Sequence, residues 1–124
     1  METLNLISYD IIGAAYKVHS ALGPGLLESA YEVCLEYELV KMGYKVDRQK
    51  ALPVIYDGVE LDAGYRIDIL VEDSVIVELK SVSEMVPLFK AQLMTYLKLS
   101  ELQLGLLLNF NVIDMKKGIT RIVM

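Results

Sequence analysis

The chain has 124 residues, 54% of them hydrophobic, and a formal net charge of -5 at pH 7. This size and apolar content suit one domain with a hydrophobic core, predicted over residues 1–124, and exclude an intrinsically disordered protein. No apolar run is long enough to span a membrane, and the first residues lack the basic start of a signal peptide, so we expect a cytoplasmic protein. The negative charge disfavours a protein that coats nucleic acid by general electrostatic attraction.

Two helices are predicted at the start of the chain. Apolar residues from about Ser8 to Leu22 recur at helical spacing, and Gly23-Pro24-Gly25 should end this helix. A second helix is predicted from about Leu26 to Met42, with Gly43 as its C-terminal cap. Its predicted inward stripe consists of Leu27, Tyr31, Cys34, Leu35, Leu39 and Met42.

The rest of the chain reads as short strands and one further helix. The predicted strands cover residues 44–48, 52–56, 59–61, 65–71, 75–80, 104–110 and 119–123. Asp57-Gly58 predicts a hairpin, and a third helix should run from Pro87 to about Leu99. The strands 65–71 and 75–80 are apolar on both faces, which predicts a central position between helices. The pattern indicates an α/β protein with a mixed central β-sheet flanked by helices.

Three polar residues interrupt these two central strands: Asp68, Glu78 and Lys80. Burying charge at such positions is costly unless it is compensated. Glu78 and Lys80 are two residues apart and therefore project from the same face of a strand. Asp68 joins them only if a loop with an odd number of residues, such as Glu72 to Ser74, pairs it near Glu78.

Two converging carboxylates are a natural site for Mg²⁺, a hard cation that prefers oxygen ligands. The backbone carbonyl of Leu79 could add a ligand. The ion would polarise a phosphate oxygen and lower the pKa of a bound water, while Lys80 would orient that water or stabilise the developing charge. The alternative is a buried ion pair of two acids and a lysine with no catalytic role.

The segment Gly25-Leu26-Leu27-Glu28-Ser29-Ala30-Tyr31 resembles the signature of the GxxExxY protein family, part of the PD-(D/E)XK nuclease superfamily. The resemblance spans essentially the whole chain and is also carried by residues 18–25, 68, 78–80 and 105–110. It implies a restriction-endonuclease-like core of α-β-β-β-α-β order, with an extra N-terminal helix and C-terminal strand. One departure is Tyr65-Arg66-Ile67, which replaces the proline of the superfamily motif.

The resemblance places Asp68, Glu78 and Lys80 on the two acids and the lysine of the superfamily motif. It also makes Glu28 a candidate fourth catalytic residue and metal ligand, because a helix before the core sheet can aim a carboxylate at the ion. The alternative is that an acid in the first turn of a helix is favoured by the macrodipole alone.

Three further residues gain predicted substrate contacts from the resemblance. The segment Lys90 to Tyr96 is similar to the Gln-xxx-Tyr motif of the RecB-like branch, so Gln92 and Tyr96 are predicted to contact phosphate or the lysine together. Ordinary packing of the helix surface is the alternative. Arg121 matches a family position and is predicted either to bind phosphate or to pair with an acid.

The leading hypothesis is a Mg²⁺- or Mn²⁺-dependent hydrolase of DNA or RNA. The first alternative is a module that keeps the nuclease fold without cleaving and binds nucleic acid or a protein partner, and the second is a purely structural subunit. A domain of this size covers few base pairs, so we expect a homodimer or a partner protein.

Overall fold

The computed structural model describes residues 1–124 as three α-helices, seven β-strands and one short 3-10 helix. The helices are α1 (Glu2–Leu22), α2 (Glu28–Lys41) and α3 (Pro87–Ser100), and the 3-10 helix is Met115–Gly118. The strands are β1 (Val46–Ala51), β2 (Val54–Tyr56), β3 (Val59–Leu61), β4 (Arg66–Val71), β5 (Val75–Lys80), β6 (Leu104–Asn109) and β7 (Ile119–Val123). None of the helices combines the length and the apolar content needed to cross a membrane.

Five of the strands form one mixed sheet in the order β1-β4-β5-β6-β7. Only β5 and β6 are parallel, and α3 provides the crossover that a parallel pair requires. The hairpin across Asp57-Gly58 is confirmed, but β2 and β3 form a separate two-stranded sheet. The order α2-β1-β4-β5-α3-β6, with α1 and β7 as additions, confirms the predicted restriction-endonuclease-like fold class.

The sheet separates two hydrophobic cores. One face packs against α1 and α2, through buried residues such as Ile11, Leu35 and Val77. The other face packs against α3, through residues such as Ile76 and Leu93. Helices on both faces account for the apolar content of β4 and β5 on both sides, as the sequence predicts.

The N-terminal helix begins at Glu2, well before the predicted start near Ser8. The added turn is anchored by Ile7, which is buried. Ser8 is also buried, and its hydroxyl accepts a hydrogen bond from Arg121 on β7. A polar residue at an inward-facing position interrupts the apolar periodicity, which explains the late predicted start.

The predicted inward stripe of α2 is wrong at both ends. Leu27 is 78% exposed and Met42 is 47% exposed, because they flank the helix as its N-terminal and C-terminal caps. Glu32 is buried in their place, although its charge argues against an inward position. On α3, Tyr96 is buried in the same core as Leu93 and Leu97.

Candidate active site

Asp68 and Glu78 meet where strands β4 and β5 diverge. The predicted register is confirmed, because Val71 pairs with Val75 across a three-residue loop. Backbone pairing between β4 and β5 stops at Ile69 opposite Val77, so Asp68 and Glu78 do not form the next pair of the ladder. The two carboxylates therefore lie in a fork between the central strands.

Each of these carboxylates accepts a hydrogen bond from the backbone of the other strand. The Asp68 amide donates to Glu78 Oε2 at 2.8 Å. The Leu79 amide donates to Asp68 Oδ2 at 2.9 Å. These bonds replace the missing backbone pairs and satisfy donors that a fork would otherwise leave unpaired. The local geometry of the sheet thus holds the two acids side by side.

Glu78 is the most strongly perturbed acid of the site. Its side chain is buried, and this burial, with the adjacent charge of Asp68, raises its pKa to about 8. The bond from the Asp68 amide and the charge of Lys80 act in the opposite direction. A cation beside the carboxylate would favour its ionised form.

Lys80 forms no ion pair with any carboxylate. Its Nζ lies 4.4 Å from the ring centroid of Phe89 on α3, a cation-π contact. The buried ion pair considered from the sequence is therefore absent. The ammonium group lies on the same side of β5 as Glu78 and remains free to act on a third group.

Glu28 approaches the fork from the N-terminus of α2. Partial burial raises its pKa, the charge of Lys80 lowers it, and the charge of Asp68 raises it. These three groups are therefore electrostatic neighbours. Glu28 therefore interacts with the fork through charge, and its role as a metal ligand stays a prediction.

Tyr31 holds the loop that leads to Glu28. Its hydroxyl donates to the Gly23 carbonyl at 2.6 Å and accepts from the Leu26 amide at 3.1 Å. Its ring stacks on Phe110, with a centroid distance of 4.5 Å and an interplanar angle of 10°. The hydroxyl and the ring together fix where α2 begins and hence where Glu28 lies.

Two residues at the fork were missed by the sequence analysis. Glu32 lies one helical turn beyond Glu28, and both of its oxygens accept from Gln49 Nε2, at 3.0 and 3.1 Å. The same Nε2 donates to Asp68 Oδ1 at 3.2 Å. The spacing of Glu28 and Glu32 was a usable signal, since residues four apart share a helical face. The sequence carries no comparable signal for Gln49.

The predicted substrate contacts Gln92 and Tyr96 lie on α3, which covers the sheet face that carries Glu78. Gln92 Nε2 donates to the Tyr96 hydroxyl at 3.2 Å. The pKa of Tyr96 is raised first by burial and then by the charge of Glu78. Its ring meets Tyr65 edge to face at 6.0 Å.

Arg121 lies away from the fork. It pairs with Leu106 on β6, whose side chain belongs to the core beneath α1 and α2. Its guanidinium donates to Ser8 Oγ and Asn5 Oδ1 on α1. The structure does not bring Arg121 to the acids, because it lies on the opposite face of the sheet from Glu78.

The oxygen donors of the fork suit a hard divalent cation. Asp68 and Glu78 adjoin each other, and the buried Glu78 carboxylate gains most from a neighbouring positive charge. The side chain of Leu79 is a hydrocarbon and lies in the core, so Leu79 could contribute only its backbone carbonyl oxygen. No group of three or more histidine, cysteine, aspartate or glutamate side chains is arranged to hold a metal ion. The donor chemistry fits a metal ion, whereas the acids are not preassembled around one.

A family model described as PD-(D/E)XK nuclease superfamily matches residues 5–122. The chain therefore belongs to the PD-(D/E)XK nuclease superfamily. No curated protein and no solved structure matches the chain. Nucleases of this superfamily typically depend on a divalent metal ion, and membership indicates a nuclease-like function. The narrower assignment to the GxxExxY family remains a prediction.

Proposed function

We propose that this chain is a Mg²⁺- or Mn²⁺-dependent nuclease that hydrolyses phosphodiester bonds in DNA or RNA. The main support is the fork between β4 and β5, where Asp68 and Glu78 adjoin while Lys80 forms an ion pair with neither acid. Residues 1–124 are proposed to act as one nuclease-like domain, because a single sheet carries both cores.

Each group of the fork has a proposed role. Asp68 and Glu78 hold the ion, with Glu28 and the Leu79 carbonyl as further donors. The bound ion supplies a polarised phosphate oxygen and a more acidic water. Lys80 orients the attacking water or stabilises the negative charge that develops on the phosphate.

Gln92 and Tyr96 are proposed to contact the phosphate from the side of α3. Their mutual hydrogen bond and the effect of the Glu78 charge on the pKa of Tyr96 support this role. The hydrogen bond from Gln92 also orients the hydroxyl of Tyr96, a residue whose ring is buried. Arg121 has no part in this proposal, since α1 holds it on the other face of the sheet.

The direct test is a cleavage assay with single-stranded and duplex DNA and RNA in the presence of Mn²⁺. Wild type should cut at least one substrate, and Lys80→Ala should lose at least about a hundredfold in rate, the scale of removing one charge-stabilising group. Lys98→Ala, which removes an exposed lysine from the last turn of α3, is the matched control. Equal cutting by wild type and Lys80→Ala would indicate a contaminating nuclease.

Metal dependence is tested separately by calorimetric titration of Mg²⁺ or Mn²⁺. Wild type should bind the ion, and Asp68→Ala should not. Glu84→Ala, which removes an exposed acid from the loop after β5, should bind as wild type does. Absence of metal binding in wild type would argue against the nuclease.

A non-cleaving module with the same fold is the second candidate. It is favoured by the lack of a preassembled group of metal-binding side chains and by the net charge of -5. Such a module would bind nucleic acid or a protein partner and would leave every substrate of the cleavage assay intact. In either case a second copy or another protein would extend an interface that is small for one domain.

A further inference from the structure

Gln49 has the only left-handed backbone conformation inside a strand. Its φ is 55°, whereas the other non-glycine residues with positive φ lie in turns or at the end of α3. The β1–β4 ladder pairs Arg48 with Ile69 and Lys50 with Ile67, but it skips Gln49 opposite Asp68. Residues other than glycine adopt this conformation at a cost, and such strain is concentrated at functional sites.

The strained backbone directs the Gln49 amide between two acids. Nε2 lies 3.0 and 3.1 Å from the two Glu32 oxygens and 3.2 Å from Asp68 Oδ1. An amide nitrogen carries two hydrogens, so one can serve each carboxylate. Gln49 therefore bridges α2 to β4 through a single nitrogen atom.

Both ends of this bridge are held by other groups. At one end Glu32 is 7% exposed, and its Oε1 lies 3.5 Å from Arg48 Nε. At the other end Asp68 Oδ2 is held by the Leu79 amide. With Oδ1 held by Gln49, both oxygens of Asp68 are constrained, so the carboxylate has a defined orientation.

We infer that Gln49 is a positioning residue for Asp68 and that Glu32 acts through Gln49. This inference rests on the proposed function, in which Asp68 holds the metal ion. Partners that orient a metal ligand without touching the ion affect metal affinity or activity about 10- to 100-fold. The buried acid on α2 is thus an anchor for the amide rather than a further ligand.

A pair of substitutions at Gln49 separates positioning from a general structural role. Gln49→Ala and Gln49→Gly lose the same amide, but glycine accommodates the positive φ and should give the more stable protein. Both variants should bind Mn²⁺ about tenfold more weakly than wild type, by equal factors. Lys50→Gly controls for glycine in β1 and should keep wild-type affinity.

A double-mutant cycle tests whether Glu32 acts through Gln49. Glu32→Ala should weaken Mn²⁺ binding by the same factor as Gln49→Ala, and the double variant should be no weaker than either. Glu32→Gln retains a side-chain oxygen that can accept from Gln49 and should recover most of the affinity. The measurements are calorimetric Mn²⁺ titration and thermal unfolding, with cleavage rates alongside.

Three results would overturn the inference while leaving the nuclease proposal in place. The first is an affinity loss that follows the stability difference between Gln49→Ala and Gln49→Gly, and the second is wild-type affinity in both variants. The third is a double variant whose loss equals the product of the two single losses, which would make Glu32 an independent ligand. Failure of the proposed function looks different, because wild type itself would neither bind Mn²⁺ nor cut nucleic acid.

Discussion

Replacing Glu78 with glutamine should change how the stability of the metal-free protein depends on pH. The pKa of Glu78 is about 8 in the folded protein, against an ordinary value of 4.5. Between these values the folded protein binds more protons than the unfolded chain, so the free energy of unfolding falls as the pH rises. Glutamine keeps the shape and an accepting oxygen but carries no charge at any pH.

The size of the effect follows from the shift. One pH unit inside this window corresponds to about 1.4 kcal/mol, so moving from pH 5 to pH 7 removes roughly 3 kcal/mol from wild type. This pH-dependent loss of stability is absent from Glu78→Gln. The difference in free energy of unfolding between the two proteins should therefore change by roughly 3 kcal/mol over this range, in favour of glutamine at the higher pH.

Urea unfolding at several pH values in the presence of EDTA measures this difference. Glu84→Gln, which removes one exposed acid from the loop after β5, is the matched control for charge. Adding Mn²⁺ at pH 7 should stabilise wild type more than Glu78→Gln, because only the carboxylate gains from the ion. Parallel pH curves for wild type and Glu78→Gln would refute the reasoning.

Four further substitutions test hydrogen bonding and packing in the fold, each by urea unfolding. Tyr31→Phe keeps the stack on Phe110 but loses two hydrogen bonds, and should cost about 1–2 kcal/mol; an unchanged midpoint would contradict the role of the hydroxyl. Asn109→Ala removes a buried side-chain amide that accepts a hydrogen bond from the Val82 backbone and donates one to it, and should cost about 2–4 kcal/mol. A loss of stability smaller than that of Tyr31→Phe would contradict this expectation. Gly118→Ala should cost at least about 3 kcal/mol, because its Cβ would lie 2.2 Å from the Asn109 carbonyl oxygen. Gly13→Ala, in open space on α1, should instead stabilise the protein by about 0.5–1 kcal/mol. Equal effects of the two substitutions would refute the steric argument.

Much of the candidate site follows from local pattern. Side chains alternate along a strand, so the three-residue loop after Val71 is sufficient to place Asp68 near Glu78. Both strands are apolar around these acids, which is why the charged residues stand out in the sequence. Lys80 follows from the same alternation, since it is two residues beyond Glu78.

Other parts of the site depend on contacts that are distant in sequence. Gln49 reaches Glu32 and Asp68, which are 17 and 19 residues away, only because α2 and β4 pack on either side of it. Its left-handed backbone comes from that packing and has no local signature such as glycine. Arg121 also depends on tertiary structure, because its hydrogen-bond partner Ser8 on α1 is 113 residues away.

By itself, the sequence determined the order of helices and strands, the hairpin register and the identity of the central acids, because these depend on periodicity and loop length. Only the tertiary structure decided that the backbone ladder ends before Asp68, that Glu32 is buried and that Lys80 lies on Phe89 rather than on an acid. The physical reason is that burial, desolvation and hydrogen-bond choice depend on which segments meet in space, and nearest neighbours along the chain do not specify this.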